Sequence, residues 1–475
     1  MKKVAFMKAN LFKPSPIAAI LLSVLVGSCA VGPDYKRPEL AVPEHYIVQD
    51  GWVPAAPADA QHRGEWWQLF QDPTLNELEN SIDISNQNVL AAKAAYDQAR
   101  ALIKQERAAM FPSVDLSGGA TRSDNNANRT PANQYQLAIG GSWEPDLWGS
   151  LGRATSSARA SAQASEADLL SAKLSAQGEL AANYLSLRHT DVQLDLLTRT
   201  VETYQRAQQI TQNRFALGAA AKTDVLQAQS QLASAQANLL GLQGQREQLA
   251  HAIAVLVGKT PEAFNLDVIP NWQATVPQVP LGLPSELLQR RPDIAGAERR
   301  VAAANEEIGI AKAGYFPSLR LTGSYGNSSS NASDLTKSSL SVWTLGAALT
   351  QTLFDAGATG ARVSSAKAAH ERAVANYRQT VLTAFQDVED QLTAIRILSQ
   401  QQALYQQASE AADQVEQQTL NRYRLGQISF TDVVSAQTSA LNARRSLAQA
   451  RSDSQTASVA LIQALGGDWQ EQAKP

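Results

Sequence analysis

"YFPSLRLTGSY", Tyr315 to Tyr325, alternates residue by residue. Leu319, Leu321 and Tyr325 fall on one face of an extended chain, and Ser318, Arg320, Thr322 and Ser324 on the other. That is the period of a strand whose two faces meet different surroundings. "MFPSVDLSGGA", Met110 to Ala120, opens the same way and sets Val114 and Leu116 against Asp115 and Ser117. Each stretch is followed, after a polar loop, by a second alternating run. In the first, Tyr135, Leu137, Ile139 and Trp143 oppose Gln136, Ala138, Gly140 and Ser142. In the second, Trp343, Leu345, Ala347 and Leu349 oppose Thr344, Gly346, Ala348 and Thr350. The pattern predicts two β-hairpins, about 112–145 and about 316–352, each announced by Phe-Pro-Ser.

Everything around the hairpins reads as helix, and it is written twice. "NRFALGAAAKTDVLQAQ" begins at Asn213 and "NRYRLGQISFTDVVSAQ" at Asn421, an offset of 208 that holds through Gly218/Gly426, Thr223/Thr431, Asp224/Asp432 and Gly258/Gly466. Such self-similarity marks a duplicated architecture. Ala361 to Leu425 contains neither Gly nor Pro. As one helix those 65 residues would reach roughly 97 Å, about three bilayer cores, yet they are too polar to enter one. The returning helices carry a heptad seam: Val225, Ala228, Leu232, Ala235, Leu239, Leu242, Arg246, Leu249, Ile253 and Leu256, and in the second copy Val433, Ala436, Ala440, Ala443, Leu447, Ala450, Ser454, Ala457, Leu461 and Ala464. A 3.5-residue period predicts left-handed coiling. Gly218 and Gly426 suit helix C-caps, with fresh helices expected to start at Thr223 and Thr431. Antiparallel coiled-coil hairpins are therefore expected over about 151–258 and about 357–465.

Composition narrows the class. The net charge is −3, which argues against a nucleic-acid partner. Lys2, Lys3, Lys8 and Lys13 precede the apolar run Ile17–Val26, which ends in "VGSC". Residues 1–28 thus read as a lipoprotein signal peptide, with Cys29, the only cysteine, as the acylated residue and Ala30 after it favouring the outer membrane. No apolar run long enough for a transmembrane helix follows, but strands that span a bilayer give a far weaker hydropathy trace. In lipid every backbone group must be paired, so a barrel has to close. Four strands cannot close, and eight leave an interior filled by side chains. A conduit therefore favours three chains pooling twelve strands, with Ser318, Arg320, Thr322, Gln136 and Thr344 lining water. Trp143 and Trp343, at matching hairpin positions, are expected in an interfacial aromatic girdle.

The sequence resembles the outer-membrane factors of tripartite efflux pumps, the TolC-like channels, in the lipoprotein branch that serves resistance-nodulation-division transporters. The matching stretches are "CAVGPDYKRPEL", "WWQLFQDPTLNELE", "WEPDLWG", Leu283–Gly323 and "NRYRLGQISFTDVVSAQ". The resemblance covers essentially the whole chain after the signal. It implies a homotrimer, a twelve-stranded outer-membrane barrel, a helical periplasmic barrel, and docking to a periplasmic adaptor and an inner-membrane pump. The chain divides as 29–64 anchor segment, 65–282 first repeat, 283–467 second repeat and 468–475 tail. The implied function is passive export of drugs or other small molecules. An outer-membrane conduit of another tripartite export or type I secretion system and a structural envelope lipoprotein are the alternatives.

The resemblance places the helix-hairpin tips at the periplasmic mouth. Thr431, Asp432, Ser435 and Asp224 are then gate residues. Ser435 stands where related channels often carry a second acidic residue, which weakens any charge gate. Arg214, Leu217 and Gly218, with Arg422, Leu425 and Gly426, are then adaptor-docking residues. Asp387, Glu389 and Asp390 read as a solvated acidic face. His45, His62, His189, His251 and His370 are scattered and form no zinc spacing. No nucleophile elbow, P-loop or dinucleotide fingerprint occurs, so neither enzyme activity nor a cofactor is expected.

Overall fold

The computed structural model describes residues 30–38, 65–123, 131–270, 272, 275, 291–337 and 341–467. The signal peptide, Cys29, most of the anchor segment, the start of the second repeat at 283–290 and the tail lie outside the described residues. The chain forms two compact units: 1–38, 99–162 and 299–374 in one, and 39–98, 163–298 and 375–475 in the other. The units cut across the duplication, because each draws on both copies.

The first unit holds the sheet. Helices α1 (Pro73–Ser85) and α2 (Gln87–Ala108) lead to β1 (Ser113–Ser123) and β2 (Ala132–Trp143). Helices α3 (Ser150–Ala216) and α4 (Lys222–Leu256) complete the first copy. The second copy runs α5 (Pro292–Ala313), β3 (Ser318–Ser329), β4 (Ser341–Thr350), α6 (Ala358–Arg424) and α7 (Phe430–Ala464). The Phe-Pro-Ser motifs end helices. Phe111 N–H donates to Ala108 O and Phe316 N–H to Ala313 O, both at 3.0 Å, closing a last turn. Pro112 and Pro317 then hold the preceding residue out of the helical region and supply no donor. The exits are equally alike. Asp146 accepts from Leu151 N at 3.1 Å and Gly152 N at 2.7 Å, and Asp355 from Gly357 N at 2.9 Å and Thr359 N at 2.7 Å. Each carboxylate satisfies orphan donors where a strand becomes a helix. The Thr359 hydroxyl above all, and then these backbone bonds, hold the Asp355 carboxyl below the usual carboxylate range. Trp148 donates to Pro317 O at 2.7 Å and stacks on Phe316 at 4.7 Å, joining the exit of one hairpin to the entry of the next.

The sheet is antiparallel in the order β1-β2-β3-β4. Ser142 lies opposite Ser113 and Thr322, and Thr322 opposite Gly346, so like faces align across all four strands. Trp143 pairs with Leu321, which pairs with Ala347, whereas Trp343 pairs with Tyr325. The two tryptophans share a face but not a level, which corrects the expected matching girdle: they stand four residues apart, roughly 13 Å along the strands. Hairpin pairing sets the level, and the two hairpins are joined by loops of different length.

The second unit is helical. Its main core collects Trp66, Trp67 and Phe70 from a 3-10 turn with Leu75 and Ile82 of α1, Leu180 and Tyr184 of α3, Ile253 of α4 and Ile462 of α7. Trp66 meets Trp67 edge-on at 5.9 Å. All ten seam positions of each returning helix are buried or half-buried, the arginine included. Gly218 (φ +72°) and Gly426 (φ +75°) occupy the left-handed conformation that ends a helix. The restarts fall one residue earlier than expected, at Lys222 and Phe430. The cap of α7 is Ser429, whose hydroxyl accepts from Asp432 N at 3.4 Å while Asp432 Oδ2 accepts from Ser429 N at 3.1 Å. Ser429-x-x-Asp432 is a capping box, and it outcompetes Thr431 because only residue 429 has the extended φ/ψ of a cap. The first copy has Ala221 at that position and no side-chain cap.

Candidate channel-forming surfaces

The sheet brings the five expected lumen residues onto one face. Ser318, Arg320 and Thr322 of β3, Gln136 of β2 and Thr344 of β4 share it with Ser113, Asp115 and Ser117 of β1. Cross-strand hydroxyls bond along it: Ser324 to Thr344 at 2.7 Å, Ser113 to Ser142 at 3.1 Å, and Gln134 Nε2 to Ser328 Oγ at 3.3 Å. The opposite face is apolar and uncovered. Leu116 is 74% exposed, Trp343 69% and Leu345 80%, and Val114, Ile139, Tyr325, Trp343 and Leu345 line a continuous apolar patch. β1 and β4 each have one neighbour, so their outer edges carry unpaired backbone donors and acceptors. An apolar face this size is not tolerated in water, and an open edge is not tolerated in hydrocarbon.

Residues 30–38 lie along the first unit. Val31 N–H donates to Trp148 O at 3.1 Å, and Pro33 O accepts from Arg153 Nη1 at 3.3 Å and Asn305 Nδ2 at 3.1 Å. Trp148 lies between the end of β2 and the start of α3. The chain just after Cys29 is thus tied to the base of the sheet.

At the helix tips Tyr423 and Phe430 pack at 5.4 Å with Ala207, Ala228 and Val433. Arg214 is not a free surface cation. Its Nη1 donates to Tyr423 O at 2.7 Å and its guanidinium lies 4.6 Å from the Tyr423 ring centre, so it joins the two hairpins. Leu217 and Leu425, the residues before the two glycines, are 84% and 74% exposed. Arg422 is exposed on α6, and Asp224 lies in the first turn of α4. Asp432 is held by its capping box, Thr431 donates to Gln227 Oε1 at 3.5 Å, and the Ser435 hydroxyl donates to Thr431 O at 3.0 Å.

One expectation is corrected, and one network was missed. Asp387 is not part of a plain solvated face: it accepts from Arg291 Nη1 at 3.1 Å, while Arg291 also binds Asp293 at 2.8 Å and Ala464 O at 3.1 Å. A half-buried arginine at the start of α5 requires such partners. The missed network centres on Asp191, which is fully buried. It accepts from Arg188 at 3.0 Å, Arg246 at 2.6 Å and Ile269 N at 3.2 Å. Arg188 also donates to Asp267 O and Arg246 to Leu266 O, both at 2.6 Å. Arg188 Nε reaches the Tyr184 hydroxyl at 3.0 Å, which donates to Asp72 at 2.8 Å. Burial pushes the Tyr184 phenol up to about 12, so it keeps the proton it donates. The network fastens the segment around 266–269, which leads from the first copy to the second, onto α3 and α4. The arginine in the apolar seam was its one trace in the sequence. Among the described residues no cluster of His, Cys, Asp and Glu forms a metal site.

A sheet with one apolar face, one polar face and two open edges, carried on long polar helices, is a fragment of a membrane pore. The chain belongs to the outer membrane efflux protein family, whose model matches residues 79–259 and 283–467. It is 29% identical over 466 residues to "probable efflux pump outer membrane protein TtgC" of Pseudomonas putida, covering 96% of each chain. It is 25% identical over 456 residues to "cation efflux system protein CusC" of Escherichia coli, covering 96% of this chain and 99% of that one. The solved outer-membrane channel OprN superposes with a TM-score of 0.83 at 31% identity, covering 93% of this chain and all of that one. The protein is an outer-membrane efflux channel and not an enzyme.

Proposed function

We propose that three copies close one twelve-stranded barrel, β4 of each chain pairing with β1 of the next, and that this lipid-anchored trimer is the passive outer conduit of a tripartite pump. The observation that carries the reading is the amphipathic four-stranded sheet with both edges open. Twelve strands leave a water-filled interior, whereas eight would be packed solid. Exposed apolar residues on the helices, Leu240 at 68% and Leu404 at 65%, suit contacts with neighbouring copies. The tie between Val31 and Trp148 supports acylation at Cys29, since it holds the residues that follow Cys29 at the base of the sheet. An inner-membrane resistance-nodulation-division pump and a periplasmic adaptor deliver the solutes, and the paired tip residues Leu217 and Leu425 are the adaptor's apolar footholds, flanked by Gly218, Arg422 and Gly426. TtgC and CusC are named for efflux-pump and cation-efflux systems, and a small solute suits this conduit in the same way.

Chemical crosslinking of the protein in native membranes should stop at a trimer, and purified trimer should conduct in planar bilayers. Cells lacking the protein should retain dyes and antibiotics. Cys29→Ser should abolish incorporation of labelled palmitate. A monomer stable in buffer without detergent would sink the proposal.

The tips close the periplasmic mouth, with Thr431, Asp432, Ser435 and Asp224 at the constriction. Two roles for Asp432 make different predictions. As half of the capping box it stiffens the tip, and both Ser429→Ala and Asp432→Asn should then loosen it by about 1 kcal/mol and raise the closed-state conductance alike. As a threefold carboxylate ring it draws cations, and only Asp432→Asn should then lower cation selectivity. We expect the first pattern, because Oδ2 already accepts from both Ser429 N and Ser429 Oγ.

A further inference from the structure

Among the strand residues of the polar face, two ionisable side chains occur: Asp115 on β1 and Arg320 on β3. Their neighbours within the strands are small and neutral, and Glu144, one residue beyond the end of β2, follows Trp143, which pairs with Leu321. Ser113 and Ser117 flank Asp115 along its strand and Gly140 lies across from it. Ser318 and Thr322 flank Arg320, and Ala348 lies across from it. No ion pair joins either to another described residue.

The strand register gives their levels. Asp115 lies opposite Gly140, Gly140 opposite Ser324, and Ser324 opposite Thr344, which makes one row across the sheet. Arg320 precedes Ser324 by four residues on β3, so the two charges stand roughly 13 Å apart along the strands. They also lie two strands apart, about 10 Å across the sheet, so the charges are roughly 16 Å apart on the wall. The separation exceeds the Debye length of about 8 Å at physiological salt, so each charge acts on a passing solute separately. Arg320 is at the end of β3 that emerges from α5, and it is therefore met first by a solute arriving from the helices. Its side chain is also longer than that of aspartate, and reaches further from the wall.

We propose that Arg320 and Asp115 form two stacked charged rings inside the barrel, basic on the helix side and acidic on the loop side, which favour anionic and zwitterionic solutes over cationic ones. This rests on the trimeric conduit proposed above. The threefold axis turns each residue into a ring, and rings of side-chain charge set selectivity in pores. The projecting arginines make the narrower ring, so the basic ring dominates.

Cysteine accessibility tests this, because Cys29 is the only native cysteine and labelling of the unsubstituted protein sets the baseline. Thr322→Cys, Ser117→Cys and Leu345→Cys are introduced singly into the full chain, reconstituted in vesicles. Each is treated with anionic and with cationic methanethiosulfonates. Thr322→Cys should react about three- to tenfold faster with the anionic reagent, and adding Arg320→Ser should bring the ratio to about one. Ser117→Cys should show the opposite preference, lost with Asp115→Asn. Leu345→Cys, on the apolar face, should not react. Should Thr322→Cys react equally with both reagents, or keep its preference without Arg320, the charged rings are refuted while the conduit stands. Should Thr322→Cys be inaccessible while Leu345→Cys reacts, the conduit itself is refuted.

Discussion

Asp191→Ala should cost the protein about 3–5 kcal/mol, seen as a large fall in the thermal unfolding midpoint of detergent-solubilised protein. The reason is what it leaves behind. Arg188 is 2% exposed and loses its carboxylate; Arg246, in the apolar seam of α4, loses its ion pair; and Ile269 N–H loses its acceptor. Two guanidinium groups would then keep only backbone carbonyls and, for Arg188, the Tyr184 hydroxyl. Asp191→Asn keeps the shape and one acceptor but not the charge, and should fall between. The segment around 266–269 should become the first site of proteolysis in the alanine variant. An alanine variant that melts within a degree of the parent would falsify the assignment of this network as the fastening of that segment.

Gly326→Val should prevent assembly altogether. Gly326 lies opposite Ala138, and a Cβ added there would stand 2.3 Å from Leu137 O and 2.6 Å from Ala138 Cα. Those are backbone atoms, so no rotamer change relieves the clash; β2 and β3 must separate. That ladder is the one that joins the hairpin of the first copy to that of the second. Overpacking in a core that can adjust costs about 1–3 kcal/mol, and here it is concentrated on a single sheet ladder. The expected result is loss of heat-resistant oligomer from the outer membrane and dye retention equal to that of a deletion strain. Gly119→Val is the control: no atom lies within 4 Å of its added Cβ, and it should assemble normally. Normal oligomer from Gly326→Val would mean that β2 and β3 are not paired in this register.

The two hairpins and the repeated helices were legible because their signals are periodic: alternation for Leu319–Tyr325, an offset of 208 for the tips, a heptad for Val225–Leu256. Periodicity reports which face a residue is on, not what it meets there. Arg246 was correctly placed on the seam, but its partner Asp191 is 55 residues earlier on another helix, and no local spacing connects them. Glu79 shows the same limit. Glu77 and Glu79 look alike in "LNELEN", yet Glu79 is 1% exposed with both oxygens unpartnered, and burial pushes its carboxyl up to about 9. The cap at Ser429 was legible as Ser-x-x-Asp, but Thr431, repeated at Thr223, offered a competing start. The levels of Trp143 and Trp343 depend on strand pairing, which composition does not carry. The partner of Arg214 belongs to the other hairpin, and so it too required the fold.

Ala221 and Ser429 occupy equivalent places in the two copies, and only the second ties its helix down. A ring built from separate, unfused halves would have to make every tip alike, since each would be encoded by one gene. Fusing the halves lifts that constraint. In the trimer proposed above, capped and uncapped tips would alternate around the rim, so a protein docking there would meet two kinds of foothold, one free to drift in evolution while the other is kept.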